Sequence, residues 1–292
     1  MPLLSTRAKA EILLVLVTLI WGSTFVVVKG ALSNASPLPF IAVRFTLAGV
    51  LLFLVMSRGL VDRQALGPGF VLGVFLFAGY VCQTTGLLYT TPSKSAFITG
   101  FAVILVPFIQ MIHGFRLRGA TIAGALFGLA GIYFLVLPSG LHAVNRGDIL
   151  TLFGALSFAI HIVLVGSYTR RFSFRHLVPV QILAVGLLAA AALPLNLDFR
   201  LEWTVGLVAA LVVTATLATG FAFAVQNWAQ QFTPPAHTAL IFALEPVFAA
   251  LTSRLVMGER LGGKVFLGSA LILAGMVVSE IWGSTTPSPV EG

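Results

Sequence analysis

The sequence predicts an all-α integral membrane protein of ten transmembrane helices, arranged as two inverted five-helix repeats. Three observations carry this. Of 292 residues, 58% are hydrophobic and only 9% are charged, against roughly 25% charged in a soluble domain. At a mean hydropathy of +1.04 there is too little polar surface to cover a globule, so lipid must solvate most of the chain. The few charges also punctuate apolar runs at spacings near the ~20 residues that one spanning helix needs, and the pattern of the first half recurs in the second.

Taken in order, the first span follows Glu11 and reaches Lys29, and the proline-rich stretch at 36–39 opens a second that runs to Met56. The uncharged interval between Arg63 and Lys94 holds a third helix and its turn, with Pro92 and Ser93 marking the restart. A fourth runs from Ser95 to about Ile112, and a fifth from Gly119 to Leu137, closed by Pro138, Ser139 and Gly140. Ile149 to Tyr168 is the sixth, Leu177 to Leu195 the seventh, and Trp203 to about Trp228 the eighth. Pro234 and Pro235 precede the ninth, which reaches about Val256, and Gly263 to Trp282 is the tenth. The polar tail after it is expected to be disordered. Arg7 and Lys9 ahead of an apolar run resemble a signal peptide with cleavage near Ser33, Asn34 and Ala35. That run is long and nine further spans follow, so the first helix is expected to be kept.

The net charge of +8 would suit a nucleic acid, but the basic residues are scattered in ones to threes between apolar runs. They read as loop charge facing anionic headgroups, and no nucleic-acid partner is expected. With the N-terminus inside, the inner loops carry Arg7, Lys9, Arg58, Arg63, Arg116, Arg118, Arg170, Arg171 and Arg175, and the outer loops Lys29, Lys94, Arg146, Arg200, Arg254, Arg260 and Lys264. The small inner excess favours cytoplasmic termini on both sides of a multi-pass protein of the cell (inner) membrane. A single cysteine, Cys82, allows no intrachain disulfide.

Displacing the chain on itself by 137 positions sets Glu11 on Asp148, Trp21 on Phe158, Arg44 on Gln181 and Gly49 on Gly186. A displacement of 143 pairs Gln83 with Gln226 and Pro92 with Pro235. One of 144 pairs Gly114, Arg116, Leu117, Gly124 and Gly131 with Gly258, Arg260, Leu261, Gly268 and Gly275. The drift is what loop insertions produce. The expected copies are residues 1–142 and 143–292. Five helices is an odd number, so the second copy enters the membrane from the opposite side, an arrangement suited to alternating access around a midplane site.

The stretches WGSTFVVVKGAL at 21–32, PLPFIAVRFTLAGVLL at 37–52, GLLYTTPSKSAFITG at 86–100 and ALEPVFAALTSRLVMGERL at 243–261 resemble the EamA-type members of the drug/metabolite transporter superfamily. The resemblance covers nearly the whole chain. It implies ten helices in two repeats and export of small metabolites, frequently amino acids including aromatic ones. Gly114-Phe115-Arg116 lacks the glutamate of Gly258-Glu259-Arg260, so that acid is not expected in a symmetric mechanism.

An intramembrane charge costs at least about 2.5 kcal/mol on insertion scales and so demands a reason. Arg44, in the second span, either binds a substrate carboxylate, or snorkels to the interface or pairs internally. Glu245, before Pro246 and near mid-span, either carries a coupling proton, or satisfies backbone groups freed by the proline or pairs with Arg44. Gln83 and Gln226, with Thr84 and Asn227 beside them, suit both ends of a zwitterion and equally suit interhelical hydrogen bonds. Tyr80 shares a helical face with Gln83. Trp21, Ser23 and Thr24, Thr99 and Phe101, and Phe158 and His161 complete the expected substrate cavity, although most of the 24 phenylalanines must face lipid or pack. Gly69 with Gly73, and Gly124 with Gly128 and Gly131, have the spacing that lets helix backbones approach in lipid.

Gly258, Gly263 and Lys264 mimic a phosphate loop, but Val265 replaces the required hydroxyl residue and no strand precedes it. No metal-ligand or nucleophile motif is present, and neither catalysis nor a cofactor is expected. The favoured expectation is a secondary exporter of amino acids whose partners are its small-molecule substrate and the bilayer. Efflux of quaternary or lipophilic cations around Glu245 is the alternative. An intramembrane lipid-acting enzyme, which would need clustered acids and histidines, is the reading from another class.

Overall fold

The computed structural model describes residues 5–57, 62–112, 119–136, 145–195, 198–260 and 262–283. These are mainly helical, with no strand among the described residues beyond one isolated bridge between Ala35 and Leu201. The expected tail, the 137–144 connection with Pro138, Ser139 and Gly140, and Arg58, Arg116 and Arg118 lie outside them.

Helix starts follow the capping residues. Ser5 accepts from the Ala8 amide to start α1 (Thr6–Ala31), and Pro37 opens α2 (Pro37–Met56), where a missing amide hydrogen costs nothing. Asp62 caps α3 (Arg63–Gly86), and Thr91 with Pro92 starts α4 (Pro92–Gly100). α5 (Ala102–Met111) and α6 (Gly119–Val136) follow. A reciprocal capping box between Asn145 and Asp148 begins α7 (Arg146–Tyr168). α8 (Phe174–Ala192) ends in a short 3₁₀ turn, Leu193–Leu195. α9 (Val205–Val213) continues through a π-helical segment, Thr214–Phe221, into α10 (Ala222–Ala229). α11 (Pro235–Phe242), α12 (Glu245–Met257) and α13 (Gly263–Gly283) complete the chain. Gly258 ends α12 at φ +65°, the left-handed conformation that glycine tolerates.

Among the described residues, seven stretches are long and apolar enough to cross a membrane: Thr6–Ala31, Pro37–Met56, Arg63–Gly86, Pro92–Met111, Arg146–Tyr168, Phe174–Leu195 and Val205–Ala229. Shorter apolar helices cover Ile122–Gly131 and Phe266–Gly275. Large apolar side chains such as Leu54, Val55, Leu126, Leu187, Leu255 and Phe266 stand exposed on the outside. That is the inverse of a soluble surface and fits an integral membrane protein.

Two helical stretches are interrupted. Between α4 and α5 the helix tightens at Phe101, whose amide reaches back only to Ile98. Between α11 and α12 the chain turns at Ala243 and Leu244, because Pro246 has no amide to offer the Phe242 carbonyl and disfavours helix before it.

Helix contacts are closest for α6 with α13, α2 with α8, and α3 with α7 and α8. Small residues set these approaches. A Cβ at Gly49 would lie 2.7 Å from the Leu183 side chain, and one at Gly186 would lie 2.6 Å from Thr46 Oγ1. One at Gly131 would lie 2.6 Å from the Gly268 carbonyl oxygen, and one at Gly275 would lie 2.5 Å from that of Gly124. Gly69 and Gly73 pack in the same way on Val180 and Ala184 of α8. Their spacing serves backbone approach.

Candidate functional site

A cavity of about 90 Å³, counted as space open to the centre of a water molecule, lies among α1, α2, α3, the α4–α5 break, α7, α10 and the α11–α12 break. That is room for several waters. Aromatic rings form part of its wall. Trp21 meets Phe242 at 5.0 Å and Phe223 at 5.4 Å between ring centroids, and Tyr80 meets Phe45 at 4.7 Å and Phe158 at 5.3 Å. These are edge-to-face or tilted contacts, which hold the rings at fixed angles.

The π-helical segment supplies two anchors. Ala218 offers its carbonyl to Trp21 Nε1 at 2.8 Å, and Thr219 accepts from Arg44 Nε at 2.9 Å. Such segments depart from the regular hydrogen-bond ladder and recur at functional sites. Arg44 is 3% exposed, and its guanidinium carbon lies 5.0 Å from the Tyr80 ring centroid and 5.1 Å from that of Phe45. This cation–π seating offsets part of its desolvation. Glu245 lines the same cavity from the start of α12. Among the described residues, Arg44 and Glu245 form no ion pair within 4.0 Å. The cavity therefore holds a cation and a carboxyl group that do not neutralise each other directly.

Amides and a histidine complete the polar lining. Gln83 Nε2 donates to Thr99 Oγ1 at 3.0 Å, and Thr24 and Thr84 line the wall nearby. His161 Nε2 meets Gln181 Oε1 at 2.8 Å, Gln181 Nε2 donates to Asn227 Oδ1 at 3.1 Å, and Asn227 Nδ2 donates to the Phe223 carbonyl at 2.9 Å. Gln226 Nε2 donates to Gln230 Oε1 at 3.2 Å, and Gln230 Nε2 to the Ile162 carbonyl at 3.0 Å.

Of the residues expected from sequence, Trp21, Thr24, Arg44, Tyr80, Gln83, Thr84, Thr99, Phe158, His161, Gln226 and Glu245 come together on this cavity. Three do not line it. Ser23 accepts from Thr252 Oγ1 at 3.3 Å and joins α1 to α12. Phe101 turns into the buried core at the α4–α5 break. Asn227 is fully buried behind His161. Each meets a packing requirement: a hydroxyl or amide between spanning helices finds a protein partner, and an aromatic ring fills core.

Sequence reading missed Phe223 and Phe242, which nothing distinguishes from the other phenylalanines, and the supporting Gln181, Thr219 and Gln230. The last three carry a usable signal, since each is a buried polar residue on a spanning helix.

One end of the bundle is tied by carboxylates. Asp148 accepts from Lys94 Nζ at 2.8 Å and from Thr90 Oγ1 at 3.1 Å. Glu259 accepts from Ser93 and Ser253, joining the start of α4 to the end of α12. Lys29 Nζ donates to the Leu87, Leu88 and Thr90 carbonyls at the end of α3, where a cation suits the helix dipole.

The profile of the EamA-like transporter family matches residues 8–137 and again 145–280. The chain belongs to the EamA-like transporter family. It is thus a membrane transporter by family. An uncharacterized transporter of Archaeoglobus fulgidus is 38% identical over 277 residues, covering 94% of this chain and 87% of the relative. A probable amino-acid metabolite efflux pump of Escherichia coli is 27% identical over 93% of this chain and 94% of its own length. An aromatic amino acid exporter of Salmonella typhimurium, YddG, is 23% identical over 94% of this chain and 97% of its own. One solved crystal structure superposes with a TM-score of 0.72 at 22% identity, over 95% of this chain and 99% of that one, a likeness of fold.

Proposed function

We propose that this EamA-family chain is a secondary exporter of small zwitterionic metabolites, neutral and aromatic amino acids foremost, working by alternating access around the cavity. The observation that carries the reading is the placement of Arg44 and Glu245 on one aromatic-walled cavity without an ion pair between them. Arg44 has the planar donor set that suits a substrate carboxylate. Glu245 carries a coupling proton. The aromatic wall takes the apolar side chain, and the names of the Escherichia coli and Salmonella relatives support the same substrate class.

In this reading ten spans form two inverted copies, residues 1–142 and 143–292. The two separate profile matches support it. So do the glycine contacts. A two-fold relation that maps Gly49 to Gly186 and Thr46 to Leu183 requires each glycine to meet the other copy's partner, as they do. The same holds for Gly131 and Gly275 against Gly268 and Gly124. The interrupted spans α4–α5 and α11–α12 occupy corresponding places, where irregular backbone is tolerated because it borders a cavity. The Asp148 and Glu259 clasps then open when that end of the bundle does. The chain sits in the inner membrane with both termini cytoplasmic.

Efflux of quaternary or lipophilic cations is the second reading, and Glu245 on the same cavity as the Trp21 and Phe242 rings favours it. Purified protein in liposomes loaded with labelled phenylalanine, leucine or a cationic dye separates the two. Amino-acid efflux is expected. Efflux of the dye alone, abolished by Glu245→Gln, would overturn the proposal.

A further inference from the structure

Two hydrogen-bond relays join α7, α8 and α10 around the cavity wall, and their ends fix their direction, because a backbone carbonyl can only accept. Gln230 Nε2 donates to the Ile162 carbonyl, so Gln230 Oε1 is the acceptor facing Gln226. The Gln226 atom that meets it must be the amide nitrogen. Gln226 Oε1, on a side chain 1% exposed, is left as an acceptor with no partner among the described residues. The second relay ends on the Phe223 carbonyl, which takes Asn227 Nδ2 and makes Asn227 Oδ1 the acceptor of Gln181 Nε2. Gln181 Oε1 then accepts from His161 Nε2. A neutral imidazole with its proton fixed at Nε2 presents Nδ1 as an acceptor. One relay begins at Gln226 and ends beside His161. The other begins at His161 and passes through Asn227, the neighbour of Gln226. Gln226 and His161 both line the cavity, and an unpaired acceptor on the one and a free ring nitrogen on the other are the acceptors that a ligand on that wall would meet once its N–H groups reach them.

We infer that Gln226 and His161 form a subsite for a hydrogen-bond-donating ammonium group, so that the cavity takes primary amines and rejects quaternary ones. The inference rests on the zwitterion reading above and sharpens it. A trimethylammonium carries the same charge as a primary ammonium but has no N–H, so it leaves Gln226 Oε1 unpaired. A site with a buried acceptor rejects the analogue that cannot donate to it far more strongly than shape alone would. The same polarity orients the substrate. A carboxylate offers only acceptors, so it finds no partner at Gln226 and turns to Arg44.

The test uses the full-length protein in liposomes and four probes: phenylalanine and its N-methyl, N,N-dimethyl and N,N,N-trimethyl derivatives. All keep the ring and the carboxylate while losing N–H groups in turn. Wild-type protein is expected to carry phenylalanine at least about a hundredfold faster than the trimethyl compound, with the largest step where the final N–H is lost. In Gln226→Met the phenylalanine flux falls toward that of the trimethyl compound, and the ratio drops to within about threefold. Equal carriage of all four probes by wild type overturns the inference and leaves the amino-acid reading intact. A Gln226→Met protein that keeps the full ratio also overturns it. If no amino acid is carried at all, the functional reading fails and takes the inference with it. Should Gln226→Met not fold, the wild-type series decides alone.

Discussion

Lys94 and Asp148 form an ion pair, 2.8 Å from Nζ to Oδ2, between the first turn of α4 and the capping box of α7. The Asp148 side chain is almost fully buried, and it also accepts from Thr90 Oγ1 and from the Asn145 amide. A single carboxylate thus caps one helix and ties a second to it.

Removing the cation alone leaves Asp148 buried without its counter-ion, while Thr90 and Asn145 still donate to it. Lys94→Met is expected to destabilise the protein by about 2 kcal/mol, below the 3–5 kcal/mol of a fully buried pair because those donors remain. Adding Asp148→Asn to it recovers part of the loss. Thermal unfolding of wild type and the two variants, purified in detergent, checks both statements; a double variant no more stable than Lys94→Met would contradict them.

Arg44 depends on Thr219 for its aim. Thr219→Val keeps the volume and removes the acceptor of Arg44 Nε, so the guanidinium loses its fixed orientation. Phenylalanine flux is expected to fall about tenfold, mainly through a higher KM, since one charge-assisted hydrogen bond of roughly 1.5 kcal/mol corresponds to about that factor. Arg44→Lys is expected to lose at least as much, because an ammonium cannot reproduce the planar donor set. A Thr219→Val protein with unchanged transport kinetics would show that Arg44 acts only in packing.

Glycine at the α6–α13 contact is a requirement of backbone distance. Gly131→Ala would place a methyl group 2.6 Å from the Gly268 carbonyl oxygen, and is expected to cost roughly 2 kcal/mol through overpacking. Gly262, with nothing within 4 Å of the same atom, tolerates alanine within about 0.5 kcal/mol. Chemical or thermal unfolding of the pair distinguishes them.

Helix ends were legible in the sequence because they are written in charges and prolines. Pro92 and Pro235 fall where the structure starts a helix, whereas Pro246, read as lying inside one continuous ninth span, falls where the structure restarts one. The break at Phe101 was hidden, since the run around it reads as an ordinary apolar helix. The π-helical segment 214–221 was hidden for the same reason: small, mildly polar residues there serve a regular helix equally well. Most polar residues of the cavity were found because polarity inside a span is costly. Ser23 and Asn227 pass the same test and lie elsewhere, because satisfying a packing contact and meeting a ligand call for the same chemistry. The aromatic wall was only half visible. Trp21 and Tyr80 are rare residues in this chain, whereas Phe223 and Phe242 are two among 24.

Counterflow tests the central claim most directly. Liposomes containing the protein are loaded with unlabelled phenylalanine and placed in a trace of the labelled compound. An alternating-access carrier of amino acids accumulates label transiently above the external level, and Arg44→Lys slows that accumulation about tenfold. The absence of any overshoot from wild-type protein, with leucine and tryptophan equally inactive, would contradict the account.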